Sequence, residues 1–218
     1  MFNCSLKVNE QSSLNEAAYP GTDLMADMVG LLNYFRTNQF CMQSDIIKAF
    51  LMIRLKLEKD KNRFSFILYK DGKYVPYRYN TIIFGFCSSP FILNYIIQYH
   101  AGQCQIPHIR EAIKNHLYVD NYYQTSSDPE VLKDHYQLVK TELERGGFIL
   151  RDWSSNSKEV LEAIPIAEQG DLDTKVLGYE YNAQEDTLAV RNTCYDASSS
   201  TKRQVLSSTS SVFDPIGI

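Results

Sequence analysis

Three times along this chain two strand-patterned segments are separated by only a short turn, and that pairing restricts the fold more than any other feature. Strands joined so closely run antiparallel, because a parallel return needs a crossover of about a dozen residues or more. In the first pair Arg63 to Tyr69 alternates, Asp71-Gly72 turns and Lys73 to Tyr79 returns. In the second, Leu117-Tyr118-Val119 and Tyr122-Tyr123-Gln124 flank Asp120-Asn121, which reads as a two-residue turn. In the third, Val176 to Tyr181 turns back through Gln184 to Asp186 into Thr187 to Val190. The apolar run Phe40 to Ile46 predicts a buried strand, and Phe148 to Arg151 predicts another.

Between these strands lie segments of helical period. Leu24, Met28, Leu31, Leu32 and Phe35 predict a core-facing helix capped by Thr22 or Asp23. Ser88-Ser89-Pro90 opens a second, running to about Ala101-Gly102: a hydroxyl cap precedes Pro where no backbone donor is needed. A loop with Pro107 follows. Asp128-Pro129 opens a third helix, with Val131, Leu132, Tyr136, Leu138, Val139 and Leu143 spaced along it and a stop at Gly146-Gly147. Ser198 to Ser211 reads as a Ser-rich loop. Strands in antiparallel pairs with three helices on one face make an α+β protein.

The composition, 44% hydrophobic and 22% charged, excludes a disordered or collagen-like chain. No apolar run approaches the ~18 to 20 residues of a bilayer crossing, and no basic-then-apolar leader opens the sequence. The expectation is a protein inside the cell, neither secreted nor in a membrane. Cys4, Cys41, Cys87, Cys104 and Cys194, odd in number and without CxxC spacing, read as free thiols, mostly in the core. His100, His108, His116 and His135 have no metal-site spacing. A net charge of -4 argues against a purely electrostatic nucleic-acid binder. Residues 1 to 127, however, carry 13 basic against 10 acidic side chains, and residues 128 to 218 carry 9 against 16. A polyanion should therefore meet the first half.

Two aspartates stand where core packing alone would not put them. Asp45 ends a run heading into the core, and Asp120 tips a hairpin of large apolar and aromatic residues. Carboxylates at strand ends, presented to one place, supply the hard oxygen ligands that Mg2+ takes together with water and substrate phosphates. The residues alone leave other readings open, since Asp-Asn is ordinary turn chemistry and Asp45 can cap the next helix.

Ser44-Asp45-Ile46-Ile47-Lys48-Ala49-Phe50 resembles motif A of reverse transcriptases, Phe84-Gly85-Phe86-Cys87-Ser88-Ser89-Pro90-Phe91 resembles motif B, and Tyr118-Val119-Asp120-Asn121 resembles motif C. Gly146-Gly147-Phe148 through Trp153 is similar to motif D and Val176-Leu177-Gly178-Tyr179 to motif E, in the family's order. Further segments are similar to the BEL/Pao-type LTR retrotransposons: Phe2-Asn3-Cys4-Ser5, Ser13-Leu14-Asn15, Tyr19 to Leu24, Leu150 to Asn156 and Phe213-Asp214-Pro215-Ile216-Gly217.

The resemblance implies that residues 1–190 form the palm of an RNA-directed DNA polymerase, an antiparallel sheet backed by helices, with a partial fingers subdomain. Residues 191–218 would be a Ser-rich linker and the start of a following region. It implies two Mg2+ ions, replaceable by Mn2+, on Asp45, Asp120 and Asn121, and attack of a primer 3′-hydroxyl on the α-phosphate of a dNTP. Phe50 matches the steric gate that excludes a ribose 2′-hydroxyl. Backbone N–H groups of Ile46 and Ile47 would face the triphosphate. Gly85 would admit template or nucleotide, Arg63 would touch phosphate or template, and Tyr118 would line the primer terminus. Without the resemblance, Phe50 reads as a core residue, Arg63 as a solvated cation and Tyr118 as packing. Implied partners are RNA or DNA template–primer, dNTP and the protease, RNase H and integrase regions of a polyprotein, in the cytoplasm, free or in a particle.

Two departures matter. Asn121 stands where the commoner motif has a second Asp, so it offers an amide oxygen without charge. Where many relatives carry a lysine in motif D, this chain has Arg151, Asp152 and Ser154, with Lys158 beyond; arginine is a poor proton donor and a good phosphate clamp. The resemblance also implies that Met1 falls inside the family's nucleotide-binding finger, so these 218 residues alone are expected to polymerise weakly or not at all. The competing expectation is a degenerate or co-opted remnant that binds nucleic acid without chemistry.

Overall fold

The structure is a computed structural model that describes residues 3–7, 9, 11–190 and 201–217; Phe2 and residues 191–200 of the expected 191–218 region, Cys194 among them, lie outside the described residues. Helices and antiparallel strands are mixed along the chain, as the α+β expectation holds. In order they are α1 (Met28–Phe35), β1 (Phe40–Ile46), α2 (Ala49–Met52), α3 (Glu58–Lys61), β2 (Ser65–Lys70), β3 (Lys73–Arg78), α4 (Ser89–Ala101), α5 (Pro107–Asn115) and β4 (Leu117–Tyr118). Then come β5 (Asn121–Ser126), α6 (Pro129–Arg145), β6 (Leu150–Ser155), α7 (Lys158–Ala163), β7 (Asp173–Val176), β8 (Tyr179–Asn182), β9 (Thr187–Ala189) and α8 (Lys202–Thr209).

The chain divides into two compact units that alternate in sequence. The first comprises Met1–Met25, Ile46–Asp120 and Leu138–Leu150. Its β2–β3 hairpin pairs Lys70 with Lys73 across the Asp71-Gly72 turn. An apolar cluster of Cys4, Phe64 and Ile83, joined by Leu14, Leu55, Tyr79 and Phe86, ties Cys4 and Leu14 to the base of that hairpin. Leu93, Ile97 and Ala101 of α4 and Ile109, Ala112 and Ile113 of α5 are buried where these helices pack.

The second unit comprises Ala26–Asp45, Asn121–Gln137 and Arg151–Ile218. Its central strand is β1, between β5 and β6. Met42 is wholly buried, as a strand covered on both faces should be. Phe35 of α1 packs edge-on to Tyr123 and Tyr181, with ring centroids 5.7 and 5.2 Å away. Trp153 of β6 meets Tyr136 of α6 edge-on at 4.9 Å. One polar chain in this core is paired throughout: Cys41 Sγ lies 3.1 Å from Tyr181 Oη, which donates to Asp186 Oδ1 at 2.9 Å, and Arg36 clasps the same carboxylate. A second sheet, β7–β8–β9, carries the Phe213–Gly217 segment at its first turn. There Tyr179 Oη donates to Asp214 Oδ1 at 2.7 Å, and the Phe213 ring covers Gly178.

Several expectations are corrected. The first helix begins at Met28, because Asp27 rather than Thr22 or Asp23 accepts from the first turn, through Gly30 N–H at 2.9 Å. Arg63 belongs to a 3-10 turn, Asn62–Phe64, before its strand. The residues after Pro107 form α5 instead of a loop. The turn after β4 is Val119-Asp120, one residue earlier than expected, and Asn121 already pairs in β5. Val176 to Tyr181 is two strands, broken by Leu177-Gly178, both at positive φ. The strand expected at 148–151 is Leu150–Ser155, and part of the Ser-rich stretch is α8. Cys4, Cys41, Cys87 and Cys104 are free thiols. Among the described residues no helix is long and apolar enough to cross a membrane.

Candidate functional site

In the second unit, β1 and β5 pair from Phe40↔Ser126 to Asp45↔Asn121, so two of the three residues chosen from sequence as metal ligands are cross-strand partners at one end of the ladder. Buried polar side chains fix that end. Gln43 donates Nε2–H to Thr174 Oγ1 at 3.0 Å, and Ser44 donates its hydroxyl to Arg151 O at 2.7 Å. The Asp45 side chain is 33% exposed, its Oδ2 3.8 Å from Arg151 Nε, and that nitrogen is also 3.2 Å from Asp152 Oδ2. Asp45 and Asn121 line a cavity of about 300 Å³ with Gln43, Ser44, Asp152, Asp171, Asp173 and Lys175 among its walls. Four carboxylates against Lys175 and the neighbouring Arg151 leave it net acidic, a place for positive charge.

In the first unit, Ile46 donates its N–H to Asp120 O at 2.8 Å, and Ile47 donates to Ile149 O at 2.9 Å. Both amides expected to face a triphosphate thus donate to carbonyls inside the fold. Asp120 is the second turn residue after β4, bonded to Asn121, the register partner of Asp45. Its half-buried carboxyl is pushed above the usual aspartate range by burial, with its own backbone hydrogen bond opposing. Val119 precedes it at φ +56°, unusual for a β-branched residue. Tyr118, on β4, is partly buried.

Phe50 is 6% exposed and meets Phe84 edge-on, centroids 4.7 Å apart. Phe84 is 57% exposed and leads into Gly85 at φ +83°. The structure therefore brings Phe50 and the Gly85 loop together. Arg63 is exposed and lines a cavity of about 350 Å³ with Tyr19, Asp60, Phe64, Phe86 and Ser88.

Among the described residues no three His, Cys, Asp or Glu side chains cluster closely enough to hold a metal by themselves. The donor chemistry of Asp45, Asp120 and Asn121 still fits Mg2+, which keeps waters and takes one or two carboxylates with substrate phosphates in place of a full protein cage. Sequence reasoning missed Gln43, Asp171 and Asp173. Gln43 had a signal, a polar residue inside an apolar strand; the aspartates of Gly170-Asp171-Leu172-Asp173 look like ordinary loop chemistry. No protein-family model matches this sequence, and no curated protein matches it either.

Proposed function

We propose that this chain is the fingers-and-palm region of a reverse transcriptase similar to those of BEL/Pao-type LTR retrotransposons, adding dNTPs to a primer on an RNA or DNA template. The observation that carries the reading is the pairing of Asp45 with Asn121, next to Asp120, at the end of a buried strand and on the wall of an acidic cavity. Asp45, Asp120 and Asn121 would hold two Mg2+ ions, which when bound acidify the primer hydroxyl and offset charge on the departing pyrophosphate. The protein's own share is positional. Gln43 and Ser44, tied to Thr174 and Arg151, hold the strand that presents Asp45. Phe50, wedged against Phe84 and 6% exposed, would exclude a 2′-hydroxyl by volume. Arg151 balances Asp45 and Asp152 until phosphate arrives.

The test is binding of dNTP together with primer–template, read by fluorescence anisotropy with Mg2+ or Mn2+. Metal-dependent binding that disappears in Asp120→Ala is expected; binding indifferent to both metal and mutation would refute the reading. A second reading, a co-opted binder without chemistry, is favoured by the uncharged Asn121 and the engaged Ile46 and Ile47 amides. It predicts primer–template binding that EDTA leaves unchanged.

A further inference from the structure

The first unit ties together two sequence segments, Asn3-Cys4-Ser5 and Ser13-Leu14-Asn15, that play no part in the polymerase reading so far. Asn15 is the knot. Its Nδ2 donates to Ser5 Oγ at 2.9 Å and to Gly85 O at 2.9 Å, while its Oδ1 accepts from Cys87 N–H at 2.9 Å. Both amide hydrogens and the amide oxygen are therefore used, the full donor set of such a side chain. The backbone is held as well: Asn15 N–H donates to Cys4 O at 3.0 Å, and the Cys87 thiol lies 3.6 Å from Asn15 O. Beyond the loop, Ser88 donates its hydroxyl to Tyr19 O at 2.6 Å instead of capping α4.

These contacts fall on both sides of Phe86, gripping the loop before and after its partly buried ring, which stacks edge-on to Phe64 at 5.0 Å. A Gly at φ +83° has few steric restraints of its own, so the orientation of the Gly85 peptide must come from outside the loop. Asn15 supplies it. One residue upstream, Phe84 carries the exposed ring that leans on Phe50.

We infer that Asn15 is the positioning residue of the Phe84–Cys87 loop: by holding the Gly85 carbonyl and the Cys87 amide it fixes Phe84 against Phe50 and so sets how strictly the nucleotide pocket prefers a deoxyribose. The inference rests on the polymerase reading and extends it, since Asn15 touches no substrate and acts through the loop. A role confined to fold stability would lower the unfolding midpoint without changing the preference between dNTP and rNTP.

The experiment uses the full chain with Asn15→Ala, Asn15→Asp and, as control, Ser5→Ala, which removes one amide partner and leaves the loop contacts. Amide hydrogen exchange at Cys87 reads the bridge. Mn2+-dependent dGTP and rGTP binding with a primer–template reads the pocket. Asn15→Ala should speed Cys87 exchange and weaken dGTP binding about tenfold each, the scale of one lost hydrogen bond, and narrow the dGTP/rGTP ratio. Should Asn15→Ala not fold, Asn15→Asp decides: it keeps the acceptor for Cys87 but sets a carboxylate against Gly85 O, so Cys87 stays protected while the ratio narrows. Ser5→Ala should match wild type in both readouts. An unchanged ratio in a folded variant whose wild type binds dGTP overturns the inference and leaves the polymerase reading standing. Wild type that binds no dGTP overturns that reading and the nucleotide role of Asn15 with it, whereas Cys87 exchange still reports the bridge.

Discussion

Gly178→Ala should destabilise the chain by about 2–3 kcal/mol, in two separable parts. Gly178 sits at φ +97°, where a side chain meets its own carbonyl; that part costs ~1–2 kcal/mol. The added Cβ would also lie 2.4 Å from Cε1 and 2.6 Å from Cδ1 of Phe213, so the ring must move. Phe213 is 46% exposed, so roughly 100 Å² of it is covered, worth up to ~2.5 kcal/mol at ~25 cal/mol per Å². A shift that relieves the overlap forfeits about half of that, ~1 kcal/mol. Urea unfolding of Gly178→Ala, Phe213→Ala and the double variant isolates the second part. In the Phe213→Ala background the glycine substitution should cost only its backbone share, leaving a coupling of ~1 kcal/mol. A coupling within ~0.5 kcal/mol of zero would show that Phe213 does not lie on Gly178, and the docking of Phe213–Gly217 would fall with it.

Asp120→Asn should raise stability at neutral pH in EDTA. Burial raises the folded-state pKa of Asp120, so its favourable contribution is complete below the unfolded pKa of ~3.9 and lost as pH climbs through the folded value. The stability gap between variant and wild type should close on acidification; a gap constant with pH would contradict this. Arg151→Met removes the cation 3.8 Å from Asp45 and should tighten Mn2+ binding up to about fivefold, measured by electron paramagnetic resonance; weaker binding would count against Asp45 as a ligand. Tyr181→Phe should cost ~1 kcal/mol through the hydrogen bond lost to Asp186. In the native wild type the Cys41 thiol, pushed up to about 11 by burial, should resist iodoacetamide at about pH 8 in peptide-mapped mass spectra.

Elements whose signal is local were legible in the sequence. β1 has its expected ends, Phe40 and Ile46, with Phe40-Cys41-Met42 opening it after the polar Asn38-Gln39, and α6 is bounded by Asp128-Pro129 and Gly146-Gly147. Positions set by tertiary partners were not. The Val119-Asp120 turn defeats propensity, since Asp120-Asn121 is the better turn dipeptide, but pairing Asn121 with Asp45 takes it into the ladder. α5 was hidden by reading Pro107 as a breaker when it opens the helix. At the candidate site, Asp45, Asp120 and Asn121 could be chosen from sequence, and so could Phe50 with Gly85. The engagement of the Ile46 and Ile47 amides could not, because it depends on Asp120 and Ile149, residues 74 and 102 positions on. The acidic wall of Asp171 and Asp173 likewise comes from a loop with no pattern of its own.

The alternation of the two units along the chain has a consequence for synthesis. Each unit draws on three separate stretches, and the last stretch of the second starts only at Arg151. Neither can be excised by cutting one linker, and strand β1, ending at Ile46, must wait for β6, which starts only at Leu150. Such long-range closure makes folding slow and leaves the nascent β1 backbone exposed as an aggregation template, so yield on expression should respond to chaperone supply and to low temperature.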